Sequence, residues 1–139
     1  MYIKIIPKED FDSIIPFLEM ANNNTTDKQI LIERLNAMKE SNYECVGVFD
    51  NEKLIGISGI WFLCKHYIGK HIELDNVIVD PSYRGKKIGE MLMEWIHNYS
   101  RENDYPISEL NCYITNHRGQ KFWISQGYEI IAYHMRKTL

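Results

Sequence analysis

The sequence has no basic excess. Sixteen Lys and Arg face nineteen Asp and Glu in 139 residues, a formal net charge of −3, whereas a nucleic-acid binder normally carries a marked surplus of positive charge. Long apolar runs are missing too. None approaches the ~20 residues a membrane helix needs, and the opening Met1-Tyr2-Ile3-Lys4-Ile5-Ile6-Pro7 has neither an extended apolar stretch nor a small-residue cleavage site. Cysteine is sparse and odd in number. Cys45, Cys64 and Cys112 form no C-x-x-C pair, and each lies in an apolar stretch, where a free thiol usually packs as a small hydrophobe. The five histidines show no H-x-x-x-H or H-E-x-x-H spacing, so no metal site is expected. Linkers rich in Pro, Gly or Ser, internal repeats and low-complexity tracts are absent. The expectation is a cytoplasmic protein with no nucleic-acid or membrane partner, existing as a monomer or homodimer.

What is present suits a single domain spanning residues 1–139, with 45% hydrophobic residues. Residues 2–6 read as a short strand ended by Pro7. Phe11, Ile14, Ile15 and Leu18 then fall at helical spacing, although Pro16 is expected to kink that helix. After the polar tract 22–26, Ile30, Leu31, Leu35 and Met38 outline a second helix. Residues 43–49 and 54–63 are β-rich and separated by Asp50-Asn51-Glu52-Lys53, a hairpin turn. A third strand is expected over 72–79. A helix follows over 87–101, whose buried stripe is Ile88, Met91, Leu92, Trp95, Ile96 and Tyr99. A strand over 109–115, a helix over 118–125 closed by Gly127, and a last strand over 128–135 complete the pattern. The order β-α-α-β-β-β-α-β-α-β predicts an α/β (α+β) fold, a mixed sheet with helices on both faces.

The segment Val77-Ile78-Val79-Asp80-Pro81-Ser82-Tyr83-Arg84-Gly85-Lys86-Lys87-Ile88-Gly89 carries the most chemistry. It reads as a strand, a turn, a basic glycine-containing loop and a helix N-terminus. Free backbone N–H groups and the helix dipole at such a junction favour a phosphate. Gly85 and Gly89 permit close backbone approach, and Arg84, Lys86 and Lys87 add positive charge. A P-loop does not fit, because Ile88 follows Lys87 and no Ser or Thr hydroxyl is placed for Mg²⁺. The dinucleotide fingerprint G-x-G-x-x-G is absent. On its own the loop could equally be a solvated turn.

Its neighbours narrow the choice. Strand, proline, aromatic-Arg-Gly, helix, strand, then Asn116 and Phe122-Trp123…Gly127-Tyr128 resembles the GNAT superfamily of acetyl-CoA-dependent N-acyltransferases. Against that family's [Q/R]-x-x-G-x-[G/A] loop, Arg84, Ile88 and Gly89 agree and Lys87 replaces the middle glycine. Against its N-x-x-A-x-x-F-Y-x-x-x-G-[F/Y] element, Gly119 takes the alanine position and Trp123 the tyrosine position. The resemblance covers the chain from about Tyr43 onward. It implies a mostly antiparallel central sheet flanked by helices, and acetyl-CoA as cofactor. It further implies that the backbone of Val77, Ile78 and Val79 pairs with the pantetheine arm. Amides from Gly85 to Gly89, beside Arg84, Lys86 and Lys87, would hold the pyrophosphate. Asn116 would contact the pantetheine or the leaving side of the thioester, although it also suits a plain helix N-cap, and Trp123 would be a further cofactor-binding residue. Phe122 reads as core.

Acetyl transfer to nitrogen needs an uncharged amine, and an alkylamine has a pKa near 10.4, so a base must take its proton. Glu73 falls where histone-acetylating members of the family keep a catalytic glutamate. Strand alternation places Glu73, Asp75, Val77 and Val79 on one side, so Glu73 and Asp75 are the candidate catalytic residues. The usual acid is replaced by Trp123, whose N–H cannot practically be given up. A thiolate, of pKa near 8.5, is a tolerable leaving group without an acid; His117, Tyr113 and Tyr128 are the alternative donors. Two functions follow. One is an N-acetyltransferase acting on a primary amine of a small molecule or protein by direct attack in a ternary complex. The other is a non-catalytic CoA-binding sensor or interaction module. The acceptor pocket is expected from loops 22–27 and 66–70.

Overall fold

The computed structural model describes residues 1–139. Strand β1 (Tyr2–Ile5) leads through a 3-10 helix (Lys8–Ile14) into α1 (Ile15–Ala21) and α2 (Lys28–Lys39). Three long strands follow, β2 (Tyr43–Asp50), β3 (Lys53–Lys65) and β4 (Gly69–Val79). A 3-10 turn (Pro81–Tyr83) joins β4 to α3 (Ile88–Glu102), and β5 (Ile107–Leu110) and α4 (His117–Ser125) complete the order.

The local reasons are legible. The Asp27 side chain accepts from the Gln29 amide and caps α2. Asp50 pairs with Lys53 across a two-residue turn in which Asn51 takes φ 55°, a conformation Asn tolerates better than most residues. Pro16 does not kink a helix as expected. It sits in the first turn of α1, where no intrahelical N–H is required, and marks the change from 3-10 to α geometry.

The strands form one sheet in the order β1-β2-β3-β4-β5, antiparallel except for the parallel pair β4–β5. This is the mixed, mostly antiparallel sheet expected from the sequence, with helices on both faces. On one face α1 and α2 bury Phe11, Ile14, Leu18, Leu31 and Leu35 against Tyr43, Cys45 and Ile57. On the other, α3 buries Ile88, Leu92, Met93 and Ile96 against Val46, Val48, Ile60, Ile72 and Leu74. No helix is long and apolar enough to cross a membrane.

Four expectations are corrected. The last strand, expected over residues 128–135, does not form: the chain beyond Tyr128 pairs with no other strand. Strand β5 ends at Leu110 rather than near residue 115, because beyond that residue the chain parts from β4. In α2 Ile32 rather than Ile30 packs toward the core, and Ile30 is exposed. Of the three thiols Cys45 is buried, but Cys64 is exposed and Cys112 is only half-buried.

Candidate active site

Strand β4 carries the site, and its course changes at one residue. Asn76 adopts φ 51°, and the β3–β4 register shifts between Ile57 and Gly59. A bulge of this kind re-aims the side chains that follow it. Upstream, Asp75 lies opposite Gly59 and Glu73 opposite Trp61, on the α1/α2 face. Downstream, Val77 and Val79 pack with the α3 core while Ile78 joins the α1/α2 core. The expectation that Glu73, Asp75, Val77 and Val79 share one side is therefore corrected. The two carboxylates do share a face; the two valines lie on the other.

The carboxylates differ in setting. Trp61 Nε1 donates to Asp75 Oδ2 at 3.2 Å. Burial raises the Asp75 pKa, opposed by this bond and by the Asn76 amide. Behind Asp75 lie two buried groups. The Tyr43 phenol is pushed upward mainly by burial, and the Cys45 thiol is pushed up to about 12 for the same reason; the Tyr43 hydroxyl has no hydrogen-bond partner. Glu73 is half-buried, and its Oε1 accepts from Asn111 Nδ2 at 2.9 Å. Parallel pairing sets Glu109 beside Glu73. Glu109 Oε1 lies 3.5 Å from Nε2 of the fully buried His71, whose Nδ1 contacts the Gly69 carbonyl at 2.9 Å.

Sequence reasoning missed Trp61, His71, Glu109 and Asn111. Only the parallel β4–β5 register brings Glu109 and Asn111 to Glu73, and no local pattern encodes that pairing. The Trp61 contact follows from the β3–β4 hairpin register, which the turn at residues 66–68 sets.

Beyond Leu74 the β5 side of β4 has no partner strand, so an edge of free backbone groups runs from Asp75 to Val79. It ends in a braced turn. The Asp80 side chain accepts from the Ser82 amide at 2.9 Å and from its hydroxyl at 2.7 Å, and Lys53 Nζ lies 3.2 Å away. These partners, the Ser82 bonds first, hold the Asp80 pKa down to about 2. Tyr83 donates to Asp50 at 2.8 Å, and Lys86 Nζ stands 4.9 Å from the Tyr83 ring centroid.

Gly85 at φ 79° and Lys87 at φ 60° then wind the chain left-handed into α3. Lys87 thus holds the conformation that the glycine of the family pattern would take without strain. The first helical bond is donated by the Met91 amide back to the Lys87 carbonyl of this turn, which leaves the amides of Ile88, Gly89 and Glu90 free of helical partners. The space above Gly85 is open. At Gly89, a β-carbon would stand 3.2 Å from the Phe122 ring.

Across the opening, Asn116 caps α4, its Oδ1 accepting from the Gly119 amide at 2.9 Å. A β-carbon on Gly119 would strike that side chain, so the glycine in the alanine position and the cap belong together. Trp123 is half-buried between Phe122 and Tyr128, with ring centroids 5.0 and 5.4 Å away. The Tyr128 hydroxyl is engaged by Ser108 Oγ at 2.6 Å and His97 Nε2 at 2.9 Å, and burial raises its pKa. Tyr113 and His117 are exposed.

The sequence matches the acetyltransferase (GNAT) family over residues 9–128. It is 23% identical over 133 residues to the aminoalkylphosphonate N-acetyltransferase of Salmonella typhimurium, covering 94% of this chain and 86% of the relative. Among solved structures, a possible acetyltransferase from Clostridium difficile superposes with a TM-score of 0.85 at 18% identity, covering 99% of this chain and 96% of that one. The ribosomal-protein-alanine N-acetyltransferase of Brucella melitensis gives 0.81 at 18% identity, covering 99% and 100%. At these identities the structures speak for the fold; the family match spans most of the sequence, and the chain belongs to the acetyltransferase (GNAT) family as an N-acetyltransferase.

Proposed function

We propose that the protein, acting as one domain over residues 1–139, transfers the acetyl group of acetyl-CoA to a primary amine of a small molecule or protein, by direct attack in a ternary complex. One observation carries this reading. Along a single strand, β4 runs from two carboxylates, Glu73 and Asp75, through an unpaired edge at Val77, Ile78 and Val79, to free amides at the start of α3. The open, left-handed turn at Gly85 and Lys87 fits a pyrophosphate group. The amides of Gly85 to Gly89 would hold it, with charge from Arg84, Lys86 and Lys87. The edge at Val77–Val79 would take the pantetheine arm as a strand adds to a sheet, and Asn116 and Trp123 would form the opposite wall.

Acetyl-CoA supplies an activated thioester carbonyl; deprotonating the amine falls to the protein. Glu73, half-exposed and held by Asn111, accepts that proton directly or through water. Asp75 and Glu109 draw a cationic amine to the same face. Trp123 offers no proton, so a departing thiolate would take its proton from solvent. The acceptor that suits three carboxylates is a cationic amine with no anion beside it. An aminoalkylphosphonate, named for the Salmonella relative, should be the poorer substrate here.

Thiol release from acetyl-CoA, followed across simple amines, diamines, lysine peptides and aminoalkylphosphonates, tests the reading. Turnover with cationic amines and less with phosphonates is expected. Tight CoA binding with no turnover on any amine would contradict the catalytic reading and favour a binding module.

A further inference from the structure

A buried hydroxyl beside the site has no partner. Tyr43 is 2% exposed, and its Oη makes no hydrogen bond, an arrangement that costs free energy unless a polar group completes it. Packing fixes the ring. Phe11 meets it edge-on with centroids 6.0 Å apart, and the Trp61 indole lies 4.9 Å away.

The tip of the ring lies over Gly59. A β-carbon there would stand 2.6 Å from the hydroxyl oxygen and 2.7 Å from the ring, so the phenol fills the volume that the glycine leaves empty. Gly59 is the middle of a row of three, with Cys45 opposite it on β2 and Asp75 opposite it on β4. β-Carbons of such cross-strand neighbours stand about 4.5–5.5 Å apart. The hydroxyl therefore lies between a thiol and a carboxylate. The thiol is a weak partner, and it points to the Val46 carbonyl at 3.9 Å. The carboxylate is the strong acceptor. Of its two oxygens only Oδ2 takes a side-chain donor, the Trp61 indole. Tyr43 and Cys45 are the titratable side chains of β2 that Asp75 meets, and Glu73 follows it on its own strand face.

We propose that Tyr43 is a positioning residue of the active site, its hydroxyl donating to Oδ1 of the charged Asp75, so that indole and phenol together hold this carboxylate as the anchor for a cationic acceptor. The proposal rests on the reading of this face as the one that receives the amine. The terminal torsion of an aspartate is soft, so the adjustment that closes the bond costs little. A charged acceptor makes a hydrogen bond about twice as strong as a neutral one, so the bond forms as Asp75 ionises and weakens on protonation. Two donors also make Asp75 the poorer proton acceptor, which leaves that step to Glu73. Gly59 becomes a requirement of the site, because any side chain there evicts the phenol.

Tyr43→Phe tests this, since it keeps the ring in its packing and removes only the hydroxyl. Carboxyl NMR of Asp75 in the full chain reads the bond directly. The titration midpoint of Asp75 should move up by about one pH unit in the variant. Binding of n-butylamine, followed on the same signal at a pH where Asp75 is ionised, should weaken about tenfold, while calorimetry shows CoA affinity unchanged. In turnover the KM for the amine should rise with little change in kcat. An unmoved midpoint overturns the proposal; removal of an unpaired hydroxyl should then raise stability instead of lowering it. A raised midpoint with unaltered amine binding overturns it equally, because Asp75 then anchors nothing. Failure of the acetyl-transfer reading is a separate result, the absence of thiol release with any amine in the native chain, and both Asp75 measurements are made without turnover.

Discussion

Trp61 Nε1 donates to Asp75 Oδ2 at 3.2 Å across the β3–β4 ladder, and the Tyr43 ring packs on the indole with centroids 4.9 Å apart. The indole supplies the only side-chain bond that favours the Asp75 carboxylate, against the burial that penalises it.

Asp75 should accordingly titrate above the ordinary carboxylate range, and higher still in Trp61→Phe, where the donor is gone; carboxyl NMR titration reads both. A carboxyl whose folded pKa is raised favours the fold most while it is protonated. Its contribution is full below the ordinary value near 3.9 and declines as pH climbs through the raised value. Asp75→Asn keeps an acceptor for the indole and cannot ionise. Chemical denaturation should show its stability relative to the native chain growing over that interval and levelling above it.

Asp80 predicts the opposite slope. Its partners Ser82 and Lys53 hold the folded pKa to about 2, so its contribution is present above the ordinary value near 3.9 and is lost as pH falls toward about 2. Asp80→Asn should flatten that part of the stability profile. The same substitution loosens the turn before α3, so the KM for acetyl-CoA should rise while kcat changes little.

Lys86 and Lys87 are expected to act by charge. Lys→Gln at either position should weaken CoA about tenfold at low salt and less at high salt, as titration calorimetry at two ionic strengths would show. Lys87→Gly separates charge from geometry. It relieves a left-handed non-glycine residue, so thermal unfolding should show stability unchanged or raised by up to about 1 kcal/mol, with the same salt-dependent loss of affinity.

A β-carbon on Gly89 would stand 3.2 Å from the Phe122 ring, inside ordinary van der Waals contact, so the ring must give way. Gly89→Val should abolish CoA binding in calorimetry and cost about 1–3 kcal/mol of stability by overpacking. Unchanged affinity in a folded variant would place the pyrophosphate elsewhere.

The sequence carried the fold where local chemistry specifies it. The Asp50–Lys53 hairpin, the α3 stripe and the Gly-Lys turn are each written in a few adjacent residues, and each is found near its expected place. The Asn76 bulge was not legible. An Asn at positive φ inside a strand of otherwise regular alternation leaves no trace in the pattern, so alternation alone puts Val77 and Val79 on the carboxylate face. The Glu73 surroundings were hidden for another reason. Asn111 and Glu109 reach Glu73 only through a parallel pairing to a strand 36 residues downstream. Alternation over residues 128–135 suggests a strand, but alternation records only that a side should be covered, and no strand of this chain covers it.

The central claim is that Glu73 takes the proton of the attacking amine, and the pH–rate profile of Glu73→Gln tests it most directly. The amide has the size of the carboxylate and can still accept from Asn111, so fold and CoA affinity should be preserved. The account predicts a fall in kcat/KM of about 10²–10⁴ at neutral pH, with the rising limb of the profile displaced toward the pKa of the free amine, near 10.4, because only spontaneously deprotonated substrate then reacts. A Glu73→Gln enzyme with full activity at neutral pH and an unshifted profile would contradict it.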